Sequence, residues 1–294
     1  MNYLSGAATQ ANVAILWVVT RWLARVKVST ISELSQAVRP PTIATGADNA
    51  LRATLLVGRD IGVLDSPSDD GPWSLGPSCD VCCLTRHDNF RTVVRNALLT
   101  RAVSELAAGN NPSDVAVGLA WLLSLDPTRP PDWSYDQPEQ LLRASGQMKE
   151  VISNPEQWRV LRRWALQLGF AVQSRADNHR QQRLLPDPVR AIIESLDGLS
   201  QNLTASDFLE QLAGQLPVID TGALHLYLED LGVKFTARAE ATIGPATGFA
   251  LERLHRRGVL TLQTTDDALN RVSYRWAGQT SVFDRVEIES LTDE

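Results

Sequence analysis

Residues 50–75 read ALRATLLVGRDIGVLDSPSDDGPWSL and carry the strongest fold signal in the chain. Leucines recur at helical spacing up to Gly62, and a glycine in that place is typical of a helix C-terminus. A short apolar strand follows, passes through a turn rich in Ser, Pro, Asp and Gly, and returns at 73–75. A helix followed by such a hairpin predicts the recognition helix and the wing of a winged helix-turn-helix unit.

The segment before this stretch supplies the other two helices of such a unit. Apolar residues at mixed spacings of three and four predict a helix over 11–26. Thr30 and Glu33 are placed as a capping box for a second helix, which ends before a proline pair. With a third helix over 48–61, the order is three helices and a hairpin, which predicts a winged-helix domain at residues 1–78.

A similar phrase occurs twice more in the chain. The segment WALQLGFA at 164–171 precedes a polar stretch and a return at Leu184-Leu185. The segment LHRRGVL at 254–260 precedes a polar turn and the return YRW at 274–276. We interpret this pattern as degenerate repetition of one unit, and we expect the strand after Gly258 to pair with the strand at 272–276 as a third wing.

The repetition predicts three domains and a fold class that is mainly α with small β-hairpins, arranged as tandem winged helix-turn-helix-like domains. The winged-helix domain at 1–78 is followed by a helical domain with a central winged-helix-like unit at 79–187 and by a C-terminal winged-helix-like domain at 188–294. Further helices are expected at 89–107, 114–125, 155–168, 188–196, 205–212, 224–231 and 245–257, with a surface linker at 126–136 and a solvated acidic tail at 284–294.

Charge limits the kind of nucleic-acid contact that the chain can make. The formal net charge is −6, which argues against indiscriminate binding driven by charge alone. The segment 159–183 departs from this average, because it holds six Arg and one Asp. A basic helix followed by a basic hairpin suits contacts to the DNA backbone. The candidate phosphate contacts are Arg159, Arg162, Arg163, Arg180 and Arg183, supported by Arg52, Arg59, Arg253, Arg256 and Arg257.

Cys79, Cys82 and Cys83 form the one cysteine cluster of the chain, with His87 nearby. A zinc site would suit the C-x-x-C spacing, but no second cysteine pair exists, so we favour ordinary thiols near a helix start and expect no metal and no cofactor. The sparse cysteines favour a reducing compartment. The apolar run at 11–19 is too short to span a bilayer and lacks the features of a signal peptide. We expect a cytoplasmic protein without a membrane partner.

Catalytic signatures are absent from the sequence. No Walker A loop, no D/E-x-K ending of a metal nuclease, no H-E-x-x-H and no G-x-S-x-G elbow occurs. Paired acids such as Asp69-Asp70 lie where turn chemistry explains them. We therefore expect a protein that is not an enzyme.

Several phrases together resemble a known family. They are LAWLL at 119–123 before Asp126-Pro127, LPDP at 185–188, LPVIDTG at 216–222 and ALERL at 250–254 before Gly258. They resemble the DpdG proteins of bacterial gene clusters that insert 7-deazaguanine derivatives into DNA. The resemblance implies a part in a DNA modification and restriction system, which serves phage defence, beside enzymes encoded elsewhere. It brings no catalytic residues with it.

The leading hypothesis from the sequence is a non-catalytic component that binds double-stranded DNA within a larger complex of modification or defence proteins. The first alternative is a protein-interaction adaptor within that complex, because winged helices also bind proteins. The second is a winged-helix transcriptional regulator. The turn of the first hairpin is acidic at Asp65, Asp69 and Asp70. The first unit therefore resembles a protein-docking module, and the segment 159–183 is the better candidate for DNA.

Overall fold

A computed structural model of the chain describes residues 2–39, 48–175, 182–235, 242–265, 271–276 and 278–289. This part of the chain is mainly helical with small antiparallel strand pairs, as the sequence predicts. The helices are α1 (Val13–Val26), α2 (Ile31–Val38), α3 (Asp48–Asp60), α4 (His87–Ala107), α5 (Asp114–Ser124), α6 (Asp136–Ala144), α7 (Met148–Val151), α8 (Pro155–Gln167), α9 (Val189–Leu196), α10 (Ala205–Gln215), α11 (Ala223–Asp230) and α12 (Pro245–Arg256).

The strands are short and pair in four groups. They are β1 (Val28–Ser29), β2 (Leu64–Asp65), β3 (Trp73–Leu75), β4 (Ala171–Arg175), β5 (Gln182–Pro186), β6 (Asn202–Thr204), β7 (Leu260–Gln263), β8 (Val272–Trp276), β9 (Gln279–Phe283) and β10 (Arg285–Ile288). Two sheets have three strands, in the orders β1-β3-β2 and β6-β10-β7, and two hairpins stand alone, β4-β5 and β8-β9. In both three-stranded sheets the last strand along the chain lies in the middle.

The pairing predicted for the third wing is wrong. Strand β7 pairs with β10, with Leu260 opposite Ile288, whereas β8 pairs with β9, with Trp276 opposite Gln279. The connection between β8 and β9 is only two residues long, and Gly278 has a φ of +82°, which suits a tight turn. Such a short loop closes at a lower entropy cost than the longer segment between β7 and β8.

The predicted solvated tail at 284–294 is also wrong where the structure describes it. Residues Arg285–Ile288 form the central strand of a sheet, with Val286 1% exposed and Asp284 8% exposed. The Asp284 carboxylate accepts the backbone N–H of Thr265 at 3.0 Å, and the Asp284 N–H donates to the Gln263 carbonyl at 2.9 Å. These bonds hold the start of β10 beside the end of β7. Residues 290–294 lie outside the described part.

The chain divides into two compact units, the first from residues 1–115 and 156–168 and the second from residues 116–155 and 169–294. Helix α8 therefore belongs to the first unit, and the hairpin β4-β5 that follows it belongs to the second. The division into three domains stays a prediction.

The first unit is built around α1. Its buried face carries Val13, Leu16, Val19 and Leu23, as the periodicity predicts. The predicted capping box of α2 is confirmed: the Thr30 hydroxyl accepts the Glu33 N–H at 3.3 Å, and the Glu33 carboxylate accepts the Thr30 N–H at 2.7 Å. Such caps contribute about 1 kcal/mol each. The cap sets where α2 begins, directly after β1.

An N-terminal segment that the sequence analysis did not use is anchored in the first unit. Tyr3 and Leu4 are fully buried, and their backbone N–H groups donate to the Asp114 carboxylate at 2.6 and 2.9 Å. The Tyr3 hydroxyl donates to Asp60. Burial, together with this carboxylate, raises the pKa of Tyr3 well above its usual value. The anchor joins the ends of α3 and α5 to the first residues of the chain.

In the second unit, the segment 126–136 is more than the surface linker that the sequence predicts. Trp133 donates its N–H to the Gln182 carbonyl at 3.0 Å, and Leu184 donates to the Pro131 carbonyl at 2.9 Å. The segment thus lies along the outer edge of β5. Helices α6 and α7 follow it, and neither was predicted.

The motif LPVIDTG at 216–222 has a structural role in the second unit. Asp220 is 2% exposed, and its carboxylate accepts the Gly244 N–H at 2.8 Å and the Thr247 hydroxyl at 2.5 Å. Because Gly244 is the N-cap of α12, this carboxylate supplies the cap that glycine lacks. A Cβ at Gly222 would lie 2.4 Å from the Pro217 carbonyl oxygen, so the loop needs glycine there.

We predict that Asp220→Ala lowers the free energy of unfolding by about 2–4 kcal/mol, because it leaves the Gly244 N–H and the Thr247 hydroxyl buried without an acceptor. Chemical denaturation followed by circular dichroism measures the change. The control is Asp197→Ala, an exposed residue at the end of α9, for which we expect little change. Equal effects of the two substitutions would contradict the capping role.

Candidate nucleic-acid interface

The two candidate arginines of α3 are paired with the turn of the neighbouring hairpin. Arg52 lies 2.8 Å from Asp70, and Arg59 lies 2.5 Å from Asp69. Arg59 also stacks over the Trp73 ring at 5.7 Å from its centroid. The acidic turn therefore offsets the positive charge of this helix. Since the Arg52 and Asp70 side chains are 51% and 77% exposed, solvent screens their pair and its contribution to stability is small.

The three candidate arginines of α8 lie in three different environments. Arg159 is exposed and pairs with Glu156 of the same helix, which raises the pKa of Arg159. Arg163 is half-buried and donates to the Thr9 carbonyl. Burial, together with the charge of Arg159, lowers the pKa of Arg163.

Arg162, predicted as a phosphate contact, is buried. It is only 9% exposed, and burial, together with the charge of Arg159, lowers its pKa to about 10. The helix is enclosed on more than one side, because Val160 and Arg162 are buried as well as Trp158, Leu161 and Trp164. A guanidinium in that position cannot contact DNA phosphates without a change in structure.

The candidate arginines of α8 belong to the first unit, whereas the hairpin after α8 belongs to the second. Arg183 pairs with Asp132 at 2.9 Å and donates to the Pro130 carbonyl at 3.2 Å, so it holds the segment at 126–136 against β5. Arg175 is exposed on β4. Arg180 lies outside the described residues.

The candidate arginines of α12 are near its C-terminus. Arg253 pairs with Asp187, which is only 5% exposed, and stacks over the Phe249 ring. Arg256 pairs with Glu252 at 2.5 Å. Arg257 is exposed directly after the helix. The Glu252 carboxylate also accepts the hydroxyl of Tyr274 at 2.6 Å. Burial, strengthened by Glu252, raises the pKa of Tyr274 to about 12.

The three helices that follow the recognition-helix pattern differ in how much of their surface is open. Eight of the twelve residues of α12 are buried, among them Thr247, Ala250 and Leu251. Six of the thirteen residues of α8 are buried. In α3 a narrow open side carries Arg52 and Arg59, and both are paired with acids of the neighbouring turn. A helix that enters the major groove needs an open face that bears the reading side chains, and on α3 those side chains are already paired.

Two thiols of the cysteine cluster, those of Cys79 and Cys83, have raised pKa values. Burial, together with the neighbouring Cys83, raises the pKa of Cys79 to about 12. Burial, together with a hydrogen bond to Cys82, also raises the pKa of Cys83, whose Sγ lies 3.8 Å from that of Cys82. Within the described residues, no group of three or more His, Cys, Asp or Glu side chains is arranged to hold a metal ion.

Helix α1 carries an exposed apolar surface that was not predicted from the sequence. The side chains of Val18, Trp22 and Val26 are 41, 37 and 42% exposed. The signal was present in the sequence, because the three residues are spaced four apart and so lie on one side of a helix. Of the helices that the structure describes, none combines the length and the apolar character needed to cross a membrane.

Comparison with known proteins gives one match. A family model described as DpdG-like matches residues 4–268, which covers most of the chain and ends before β8. No curated protein and no solved structure matches the chain.

We predict that Asp69→Asn combined with Asp70→Asn increases DNA retention at low salt, because Arg52 and Arg59 lose the carboxylates that offset them. The salt slope of binding should steepen by up to about two, one for each released guanidinium. Stability should change by less than about 1 kcal/mol. Gel-shift titrations between about 50 and 200 mM salt measure the effect.

The matched control for that variant is Glu229→Gln combined with Asp230→Asn, which makes the same change in net charge at the exposed end of α11. An equal increase in both variants would show that net charge, and not the local pairing, governs DNA retention.

We predict that Tyr274→Phe lowers the free energy of unfolding by about 1–2 kcal/mol at neutral pH, through the lost bond to Glu252. The pKa of Tyr274 is about 12 in the folded protein, above the value of about 10 in an unfolded chain. The hydroxyl therefore stabilises the fold fully below pH 10, and the difference from Tyr274→Phe shrinks as the pH rises toward 12. Denaturation at several alkaline pH values measures this; a constant difference would contradict it.

Proposed function

The chain belongs to the DpdG-like family, and from this premise we propose that it is a non-catalytic adaptor that holds together protein components of a bacterial DNA modification system. Membership of the family gives the role in a DNA modification cluster. The adaptor role is the part that we infer from the geometry.

The observation that carries the proposal is the internal pairing of the candidate arginines. Six of them each pair with a carboxylate of this chain: Arg52, Arg59, Arg159, Arg183, Arg253 and Arg256. A helix that reads DNA presents open side chains to the major groove, whereas much of α8 and of α12 is packed into its own unit. Fold does not fix function, so a protein of this fold class can serve protein docking instead.

The buried polar clusters support a non-catalytic role. Asp220 and His225 come within 4.0 Å of each other, which resembles the acid–histidine pair of a hydrolase. Thr247, however, donates directly to Asp220, so it is bonded to the acid and does not stand on the far side of the histidine as a nucleophile would. All three residues are at most 2% exposed, so a substrate cannot reach them. The cluster is better explained as the cap of α12.

DNA binding is the second candidate function, and exposed arginines favour it. Arg159, Arg175 and Arg257 remain accessible to phosphates, although Arg159 would exchange Glu156 for the DNA. Such contacts would position the protein on a DNA backbone and would not read bases.

A ligand-sensing regulator receives less support. The cavity at the sheet β6-β10-β7 has a volume of about 280 Å³ and is lined mainly by polar and charged side chains, among them Asp207, Arg285 and Glu287. Apolar effector molecules need an apolar pocket, which this lining does not provide.

The test is to co-express the chain with the other proteins encoded in its modification cluster and to follow complex formation by size-exclusion chromatography. We expect a stoichiometric complex that survives at about 150 mM salt and no retardation of DNA by the chain alone under the same conditions. The variant Arg159→Ala with Arg257→Ala should leave the complex intact.

The opposite pattern would favour DNA binding. Retardation of DNA by the chain alone, reduced in that double variant together with its salt slope, would contradict the adaptor role as the main function.

A further inference from the structure

The first unit carries exposed apolar side chains on α1 and β1. Val18, Trp22 and Val26 are 41, 37 and 42% exposed and follow one another at intervals of four residues. Val28, which opens the edge strand β1 two residues after the helix, is 55% exposed. We call these four residues the α1–β1 stripe. The helical part extends for about 12 Å along the axis, which is two turns.

The stripe is held in a fixed geometry by the groups beneath it. The neighbouring face of α1 is buried through Val13, Leu16, Val19 and Leu23. The Trp22 indole N–H donates to the Ser29 hydroxyl at 3.2 Å, and that hydroxyl donates to Glu33 at 3.0 Å. The indole ring therefore stays partly exposed without an unsatisfied polar atom, and its position is fixed before any partner arrives. Rigid, partly exposed tryptophans are typical centres of protein interfaces.

The charges along the chain segment that carries the stripe are of one sign. Arg21, Arg25 and Lys27 are exposed, and residues 1–32 contain no Asp or Glu, in a chain whose net charge is −6. Glu33, the first acidic residue, is bound by Thr30 and Ser29 in the capping box. Basic side chains thus flank an apolar centre, and a complementary partner has acidic side chains around an apolar centre.

We propose that the α1–β1 stripe docks an amphipathic helix of a partner protein, whose apolar residues at spacings of four are flanked by Asp and Glu. The inference rests on the proposed adaptor function and gives the chemistry of the partner. A ridge of side chains four apart on α1 fits the groove between similar ridges on a second helix. Arg21 and Arg25 would face the acidic residues of that helix, and Trp22 would lie at the centre of the contact.

DNA and membranes fit this surface less well. Phosphates would contact the basic side chains. A DNA backbone would not bury the four apolar side chains, so these would not contribute to the binding free energy. Interfacial membrane helices carry a long apolar face and many cations, whereas α1 has its larger apolar face buried in the unit.

The first arm of the test measures the chemistry of the surface with two synthetic peptides. Each is an amphipathic helix of about 20 residues with leucines at spacings of four, one flanked by Glu and the other by Lys. We expect the full chain to bind the Glu peptide, with an affinity that falls as salt rises, and to bind the Lys peptide at least tenfold more weakly. The tryptophan emission of the chain should shift to the blue on binding of the Glu peptide. Because the chain holds eight tryptophans, loss of this shift in Trp22→Ala, which we expect, assigns the shift to Trp22.

Variants of the chain distinguish binding at the stripe from non-specific hydrophobic binding. Trp22→Ala should weaken binding of the Glu peptide at least tenfold, and Arg21→Glu with Arg25→Glu should remove its preference over the Lys peptide. Leu226→Ser is the matched control, because Leu226 is 52% exposed on α11 in the second unit and should not affect binding. Equal binding of both peptides, or no effect of Trp22→Ala, would overturn the proposal.

The second arm uses the complex with the co-expressed cluster proteins and follows hydroxyl-radical oxidation of Trp22 by mass spectrometry. Protection of Trp22 in the complex, lost in Arg21→Glu with Arg25→Glu, supports the proposal. Three results would overturn it. Protection of Trp22 in the chain alone that rises with protein concentration would identify a second copy of the chain as the occupant. Protection of Trp22 by vesicles of anionic phospholipid, or by DNA, would identify a membrane or DNA instead.

The two arms also distinguish failure of the docking site from failure of the adaptor role. If the complex forms and Trp22 stays accessible within it, the stripe is not the docking site and the adaptor function still holds. If no complex forms while the Glu peptide binds at Trp22, the stripe recognises acidic helices and the proposed role among the cluster proteins is wrong.

Discussion

Aspartate carboxylates that accept backbone N–H groups hold each unit of this protein together. Asp114 binds the N–H groups of Tyr3 and Leu4, more than a hundred residues earlier in the chain, and Asp220 caps α12 through Gly244. Asp187 binds the N–H of Val189 at the start of α9, and Asp284 binds Thr265 beside β7. Asp114, Asp187 and Asp220 satisfy donors that would otherwise be buried or left at a helix end. Because the acceptors are charged, these bonds are stronger than neutral ones. Much of the acidic character of the chain therefore serves its own architecture.

The same principle governs the arginines. A cation is available to an external phosphate only if its charge is not already compensated nearby, and most of the candidate arginines have a carboxylate of the same chain within reach. Arg253 is an example. If it bound a DNA phosphate, Asp187 would remain almost fully buried without a compensating cation, which is energetically unfavourable. The region around Arg21, Arg25 and Lys27 is different, because the sequence places no acid near them along the chain. The internal pairing of charges, more than the number of arginines, therefore decides which surface can attract a partner.

Local signals in the sequence predicted local structure well. The capping box at Thr30 and the hairpin β2-β3 were both readable, because each depends on residues close together in the chain. The pairing of β7 with β10 was not readable, since it joins strands separated by an inserted hairpin, and α7 is only four residues long. For the candidate site, the spacing of Arg159, Arg162 and Arg163 predicts on which side of α8 each side chain lies. It does not predict which of those sides is buried by the rest of the unit. Burial of Arg162 is a property of the packing around the helix, and a single helical period does not contain that information.

The position of β10 in the middle of its sheet has a consequence for the order of folding during synthesis. Strands β6 and β7 lie on either side of β10 and bond to it, not to each other, so neither has its partner while the ribosome is still making residues 264–284. Until then, the edges of both strands and the apolar residues under them stay open to other chains. The second unit is therefore completed late and all at once, whereas the sheet β1-β3-β2 of the first unit has all of its strands once residue 75 has emerged.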